Sequence, residues 1–252
     1  MVKQIGRKEF LDFVYGKTDL FMRSIANGDA YIVKGFYSRN IVEDFKERAR
    51  ALADATPPSW HPCLDGVPDY HRINDEYEGS WVKARMHGFY FHAFNENRDI
   101  LETFKDILQL KNHLRGAALD ADFDAIPSSG VISRVVSQHY PVGGGYLREH
   151  VDPHSPFALL QTIVQASTPG EDYEGGGLYM RASESDEPTM LDPYSDIGDL
   201  FALTPDVRHG VAAIDPDKTL DWSLDRGRWM ILPIVIRSDY NMDPATKPRQ
   251  VG

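Results

Sequence analysis

From residue 131 onward the apolar residues of this chain recur with a period of two. The segments "VISRVVSQHY" (131–140), "FALLQTIVQ" (157–165), "GLYMRA" (177–182), "DLFALT" (199–204), "HGVAAI" (209–214) and "RWMILPIVIR" (228–237) are separated by Pro, Gly and Asp turns. Short alternating runs of this kind are strands with one buried face. The first half of the chain follows a different period. Residues 8–15 and 18–26 read as short helices. In 39–54, Ile41, Phe45, Ala49 and Leu52 mark one helical face, with Ser38 as N-cap. In 95–114, Ile100, Leu101, Phe104, Ile107, Leu108 and Leu114 mark another. "DAYIVKGFY" (29–37) and "WVKARMHGFYFHAF" (81–94) read as strands. Helices then strands give an α+β chain, mainly β in its core: an antiparallel sandwich or barrel buttressed by N-terminal helices.

We expect one domain over 1–252. Its parts are a mainly helical support and lid region at 1–130, a β core at 131–238 and a tail at 239–252. Residues 55–80 carry Pro57, Pro58, Pro62 and Pro68 and read as a long loop or lid. No repeat is visible. A net charge of −11 disfavours nucleic acid and anionic membrane as partners. Cys63 is the single cysteine, so no internal disulfide forms. The N-terminal sequence lacks the apolar stretch of a secretion signal, and no apolar run approaches a membrane span. The expectation is a cytoplasmic protein with a small-molecule partner, contacting neither nucleic acid nor membrane.

The densest chemistry lies in "YLREHVDPHSPF" (146–157). On a strand, residues i and i+2 project to the same face, so His150 and Asp152 can reach one ion. His154 is a rival at helical spacing, but Pro153 disfavours helix there. A third ligand must come from another strand, and His209 stands at the head of a later one. Two histidines and a carboxylate form the facial triad of non-haem Fe(II) oxygenases, which leaves coordination positions open. If the iron takes a 2-oxo diacid, a cation must meet its far carboxylate. Arg228 opens the last strand, on the face of Met230, Leu232 and Ile234; Arg226 lies two residues earlier and is the alternative.

The pieces "HYPVGGGYLREHVD", "GGGLYM", "GDLFALTPDVRHGV" and "GRWMILPIV" together resemble the Fe(II)/2-oxoglutarate-dependent dioxygenases, most closely their prolyl-hydroxylase-like branch. The resemblance covers about 110 of the 252 residues. It implies a double-stranded β-helix, the jelly-roll or cupin-like barrel, with His150, Asp152 and His209 as catalytic iron ligands. It implies Arg228 and Tyr140 on the co-substrate, and Fe(II), 2-oxoglutarate and dioxygen as cofactors. The implied reaction hydroxylates an unactivated carbon of a small polar molecule, such as a free amino acid or a natural-product intermediate, releasing succinate and CO2. A peptidyl hydroxylase of the same chemistry is the alternative, and a non-enzymatic cupin-like sensor a third. Related halogenases lack the carboxylate ligand that Asp152 supplies here. Candidate substrate contacts are Arg134, Gln138, Arg85, His87 and His154, with Tyr90 and His92 nearby. "GGG" (175–177) reads as a tight turn with positive φ.

Overall fold

A computed structural model of the chain describes residues 1–55, 69–73, 82–92, 98–123, 131–152 and 156–237. The alternating segments become strands of a jelly roll. The N-terminal strands are β1 (Val2–Gly6), β2 (Ala30–Lys34), β3 (Asp69–Ile73) and β4 (Ala84–His92). The later strands are β5 (Val131–Pro141), β6 (Gly145–His150), β7 (Gln161–Gln165), β8 (Gly177–Arg181), β9 (Thr189–Met190), β10 (Leu200–Leu203), β11 (Arg208–Ile214) and β12 (Gly227–Arg237). Hydrogen bonding runs in the order β1-β2-β10-β7-β12-β5-β4-β6-β11-β8-β9, with β3 beside β4. The sheet folds at β4. There Ala84 and Arg85 pair with β6, while His87 to His92 pair with β5.

The N-terminal region is therefore more than support. β2 pairs antiparallel to β10 inside the larger sheet, and β1 extends it in parallel. β3 arises within the segment expected to be loop and pairs with β4 over Asp69 to Ile73. The rest of the expected lid, Cys63, His154 and the tail lie outside the described residues.

Strand alternation divides the interior in two. One cluster joins the facing inner sides of the curled sheet: Ala30, Ile32, Met86, Val136, Tyr140, Ile163, Leu178, Met180, Phe201, Val211, Met230 and Leu232. The other joins the outer side of the larger sheet (Val33, Phe89, Phe91, Val135, Val164, Trp229, Ile231, Val235) to the helices. Pro233 is accommodated in β12 because β7 pairs only with Met230 and Ile231, so no ladder to β7 asks for its missing N–H.

The helices are α1 (Arg7–Gly16), α2 (Thr18–Ala26), α3 (Arg39–Ala55), α4 (Arg98–Thr103) and α5 (Lys105–Leu114). Two expectations shift. The buried face of α3 runs through Val42, Phe45, Lys46 and Ala49, and Ile41 is exposed. The observed set follows i, i+3, i+4, i+7, a narrower stripe than one that begins at Ile41. The single helix expected over 95–114 breaks at Phe104, whose ring enters the core edge-on to Tyr37 and Phe45, both at 5.2 Å. None of the helices among the described residues is long and apolar enough to cross a membrane.

Phe104 is fully buried where α3, α4 and α5 meet. Phe104→Ala is expected to lower unfolding stability by about 3–5 kcal/mol through lost burial and the cavity left behind. Urea unfolding checks the value, and an unchanged midpoint would show that the corner is not part of the cooperative core.

Candidate metal centre

The three ligand candidates come from two adjacent strands. β11 pairs antiparallel to β6, and the register sets His209 directly opposite His150. Their ring centroids lie 4.4 Å apart. Asp152 follows β6 by two residues, and its backbone N–H donates to Pro205 O at 3.2 Å, which fixes the chain just before β11. His150 Nε2 lies 3.6 Å from Asp152 Oδ1, and His209 Nε2 lies 3.8 Å from Oδ2. One ligand atom from each residue falls within a common 4.8 Å span.

The ring orientations follow from the backbone. His150 Nδ1 is 3.0 Å from Arg148 O, and His209 Nδ1 is 2.9 Å from Val207 O. A carbonyl only accepts, so both Nδ1 atoms carry the hydrogen and both Nε2 lone pairs remain for an ion. Each histidine is held by the carbonyl two residues before it, so one local arrangement occurs twice. A metal-bound imidazole is oriented in this way by the partner of its other nitrogen. Burial lowers the pKa of His209, against partial support from Asp152. Burial also works against the Asp152 carboxylate, yet the groups around it, Lys111 among them, hold it below its ordinary value. Two neutral imidazole nitrogens and an ionised carboxylate, mostly shielded from water, fit a divalent first-row metal.

Behind this centre, the inward residues of β5 and β12 lie side by side, with Arg228 paired to Tyr140 in register. Arg228 is fully enclosed inside the barrel. The Tyr140 hydroxyl donates to Gln138 Oε1 at 2.7 Å, and Arg134 lies over the Tyr90 ring at 5.3 Å. Arg226 is placed elsewhere: its residue is exposed in the turn before β12, and its carbonyl faces His139 Nε2 at 3.0 Å. Of the two arginines, Arg228 is the one in the barrel.

Two substrate candidates move off the inner face. Met86 and Tyr90 of β4 face the barrel, so Arg85 and His87 have the opposite parity. Arg85 Nη1 donates to Gly144 O at 3.2 Å, beside the Tyr146 ring. His87 is buried on the outer side of the sheet, edge-on to Trp222 at 5.1 Å, its ring stacked on His139 with an Nδ1–Nδ1 distance of 3.0 Å. His139 is kept neutral by burial, at about 3. Its Nε2–H donates to Arg226 O, so its Nδ1 accepts from His87. This is a packing pair. Of the neighbours of the metal strand, Arg148 is exposed, while Glu149 forms ion pairs with Arg181 at 2.6 Å and Arg208 at 3.5 Å.

Sequence reasoning passed over Asp192, Tyr173, Gln165 and Lys111. The first three surround Arg228. Lys111, on α5, is buried, and its Nζ donates to Leu160 O at 3.0 Å, tying down the chain that leads from the metal centre into β7. A groove of about 980 Å³ lies between the N-terminal segment and the chain around β8 and β11. Pro205 and Val207, whose carbonyls hold Asp152 and His209, belong to its wall together with Asp186, Glu187 and Asp206.

No protein-family model and no curated protein matches the chain. Solved structures match its fold. A Trichoplax adhaerens prolyl hydroxylase in complex with a hypoxia inducible factor peptide fragment has TM-score 0.53 at 12% identity, covering 92% of this chain and 94% of that one. The alpha ketoglutarate dependent epimerase SnoN from nogalamycin biosynthesis has TM-score 0.51 at 13% identity, covering 88% and 83%. A Pseudomonas putida prolyl-4-hydroxylase has TM-score 0.50 at 14% identity, covering 86% and 96%. The chain shares their fold, the double-stranded β-helix.

Burial lowers the Lys111 ammonium from 10.5 to about 8, with Asp152 opposing the shift. The unfolded chain therefore holds this proton more tightly, and stability should rise with pH between those values by up to about 1.4 kcal/mol per pH unit. Lys111→Met should flatten that rise, as read by denaturant unfolding at a series of pH values. A parent chain whose stability is flat or falling over that window would show that Lys111 is not desolvated.

Proposed function

We propose that the chain is an Fe(II)- and 2-oxoglutarate-dependent oxygenase that hydroxylates a carbon of a small polar molecule. The observation that carries this reading is the pair of matched histidines, each with Nδ1 bound to its own i−2 carbonyl and Nε2 turned toward Asp152. In this reading His150, Asp152 and His209 hold iron on one side and leave the other open. Iron, when bound, supplies dioxygen activation coupled to oxidative decarboxylation of the 2-oxo acid.

The chain's own groups do the rest. In this reading Arg228 and the Tyr140 hydroxyl, both enclosed inside the barrel, orient the far end of the co-substrate. Val136, Met230 and Leu232 line the inner face and exclude water. Gln138 and Arg134, on the same face of β5, are the polar groups left for a substrate. Asp152 fills the carboxylate position, which favours hydroxylation over halogenation.

A second reading, a peptidyl hydroxylase, draws on the groove beside Pro205 and Val207, whose wall carries Asp186, Glu187 and Asp206 as well as Arg181. The prolyl hydroxylase with the bound peptide fragment is one relative by fold that acts in this company. A basic peptide would suit Asp186, Glu187 and Asp206.

The chain supplied with Fe(II), 2-oxoglutarate and air should form succinate slowly without its prime substrate. His150→Ala should reduce that rate at least about a hundredfold, through loss of the metal. Isotope-labelled free amino acids and basic peptides, offered in parallel, then separate the two substrate classes. Absence of succinate formation, or formation unaffected by His150→Ala, would point instead to a cupin-like binding protein.

A further inference from the structure

Arg228 is the most enclosed charge of the barrel, and it already has a carboxylate. Its Nε donates to Asp192 Oδ2 at 2.6 Å and its Nη2 to Asp192 Oδ1 at 2.9 Å, a bidentate fork. Nη2 also reaches Gln165 Oε1 at 3.0 Å. The Tyr173 hydroxyl donates to Asp192 Oδ2 at 2.5 Å, and Gln165 Nε2 donates to that hydroxyl at 3.3 Å. Asp192 is 1% exposed and Arg228 0%. Every partner of this carboxylate is a donor, so it acts purely as an acceptor.

The backbone is shaped around this carboxylate. Asp192 opens the 3-10 turn Asp192–Tyr194, and Leu191 N–H donates to Leu178 O at 2.8 Å, fastening that turn to β8. Gly177, at φ +114°, presents its α-carbon to the carboxylate, and a Cβ there would overlap it. The third glycine of "GGG" therefore makes room for Asp192. One group in the network has no partner: Arg228 Nη1, buried and without an acceptor.

A cation that captures an incoming carboxylate must present unmatched charge. Arg228 and Asp192 together present none. A second carboxylate drawn to Nη1 would lie beside the first in a medium of low dielectric, where like charges repel strongly. A neutral acceptor at Nη1 meets no such repulsion and satisfies the orphaned donor.

We propose that Asp192 is an internal competitor for the distal carboxylate of the 2-oxo acid, so that the chain binds 2-oxoglutarate weakly and discriminates little against 2-oxo acids lacking that carboxylate. This rests on the reading of Arg228 as the co-substrate's cation. Asp192 is here a specificity-determining residue, and the Arg228 end of the pocket is matched to an uncharged group.

The test is calorimetric titration of the full chain loaded with Mn(II), using 2-oxoglutarate and 2-oxopentanoate, which differ only in the far carboxylate. The parent should bind the two within about tenfold of one another, since no net charge selects between them. Asp192→Asn should tighten 2-oxoglutarate by at least about tenfold and leave 2-oxopentanoate within about twofold, because it frees the Arg228 charge. The parent comparison decides the matter if Asp192→Asn does not fold, as judged by circular dichroism: a parent that binds 2-oxoglutarate more than about tenfold more tightly than 2-oxopentanoate overturns the proposal. A folded Asp192→Asn chain that binds 2-oxoglutarate no more tightly than the parent overturns it as well. A Mn(II)-loaded parent that binds neither 2-oxo acid overturns the reading of Arg228 on which it stands, and the proposal with it.

Discussion

The pairing of β11 with β6 sets His209 opposite His150, and the candidate metal centre follows from that register. Strand side chains alternate, so a slip by one residue would turn one imidazole out of the barrel and bring in Arg208 or Gly210 instead. The register is held on both sides: β11 pairs with β8 through five consecutive residues, and Pro205 O anchors Asp152 just before the strand begins. Each histidine then needs only its own i−2 carbonyl to fix its tautomer. The site is thus assembled from backbone geometry, with few supporting side chains.

The barrel also encloses charges that an apolar core would leave outside. Arg228 with Asp192 is the deepest pair. Removing one partner of such a pair costs about 3–5 kcal/mol, because an uncompensated charge remains buried. Burial works against the Arg228 guanidinium, and the adjacent Asp192 carboxylate more than offsets this and keeps it charged. Lys111 has no comparable anion and depends on one carbonyl and the more distant charge of Asp152. Arg228 and Asp192 lie inside the barrel and Lys111 on α5, while most of the helix-facing core is built from aromatic and aliphatic side chains.

Much of this was legible in the sequence because a strand with one buried face writes its pattern into alternate residues. Arg228, Met230, Leu232 and Ile234 share a face as the alternation of "RWMILPIVIR" requires, and Tyr140, Gln138 and Val136 oppose them. The same rule failed where both faces of a strand are buried. In "ARMHGFYFH" both parities carry aromatic or histidine residues, so the sequence offered no reason to send His87 to the outer side of the sheet and Tyr90 to the barrel. β1 was hidden for another reason: "VKQIG" is half-exposed and earns its place only by pairing with β2. Asp192 was hidden most completely. "LDPY" reads as an ordinary turn, and nothing local indicates that its carboxylate meets an arginine 36 residues later.

The central claim is that two strands deliver two imidazole nitrogens and one carboxylate to a single ion. Pulsed electron paramagnetic resonance of the metal-free chain titrated with Mn(II) tests it most directly, because nitrogen modulation counts coordinated imidazoles. One bound ion per chain, coupled to two histidine nitrogens and reduced to one by His209→Ala, is the expected result. A bound ion with no nitrogen coupling, or coupling that survives His209→Ala unchanged, would contradict the account.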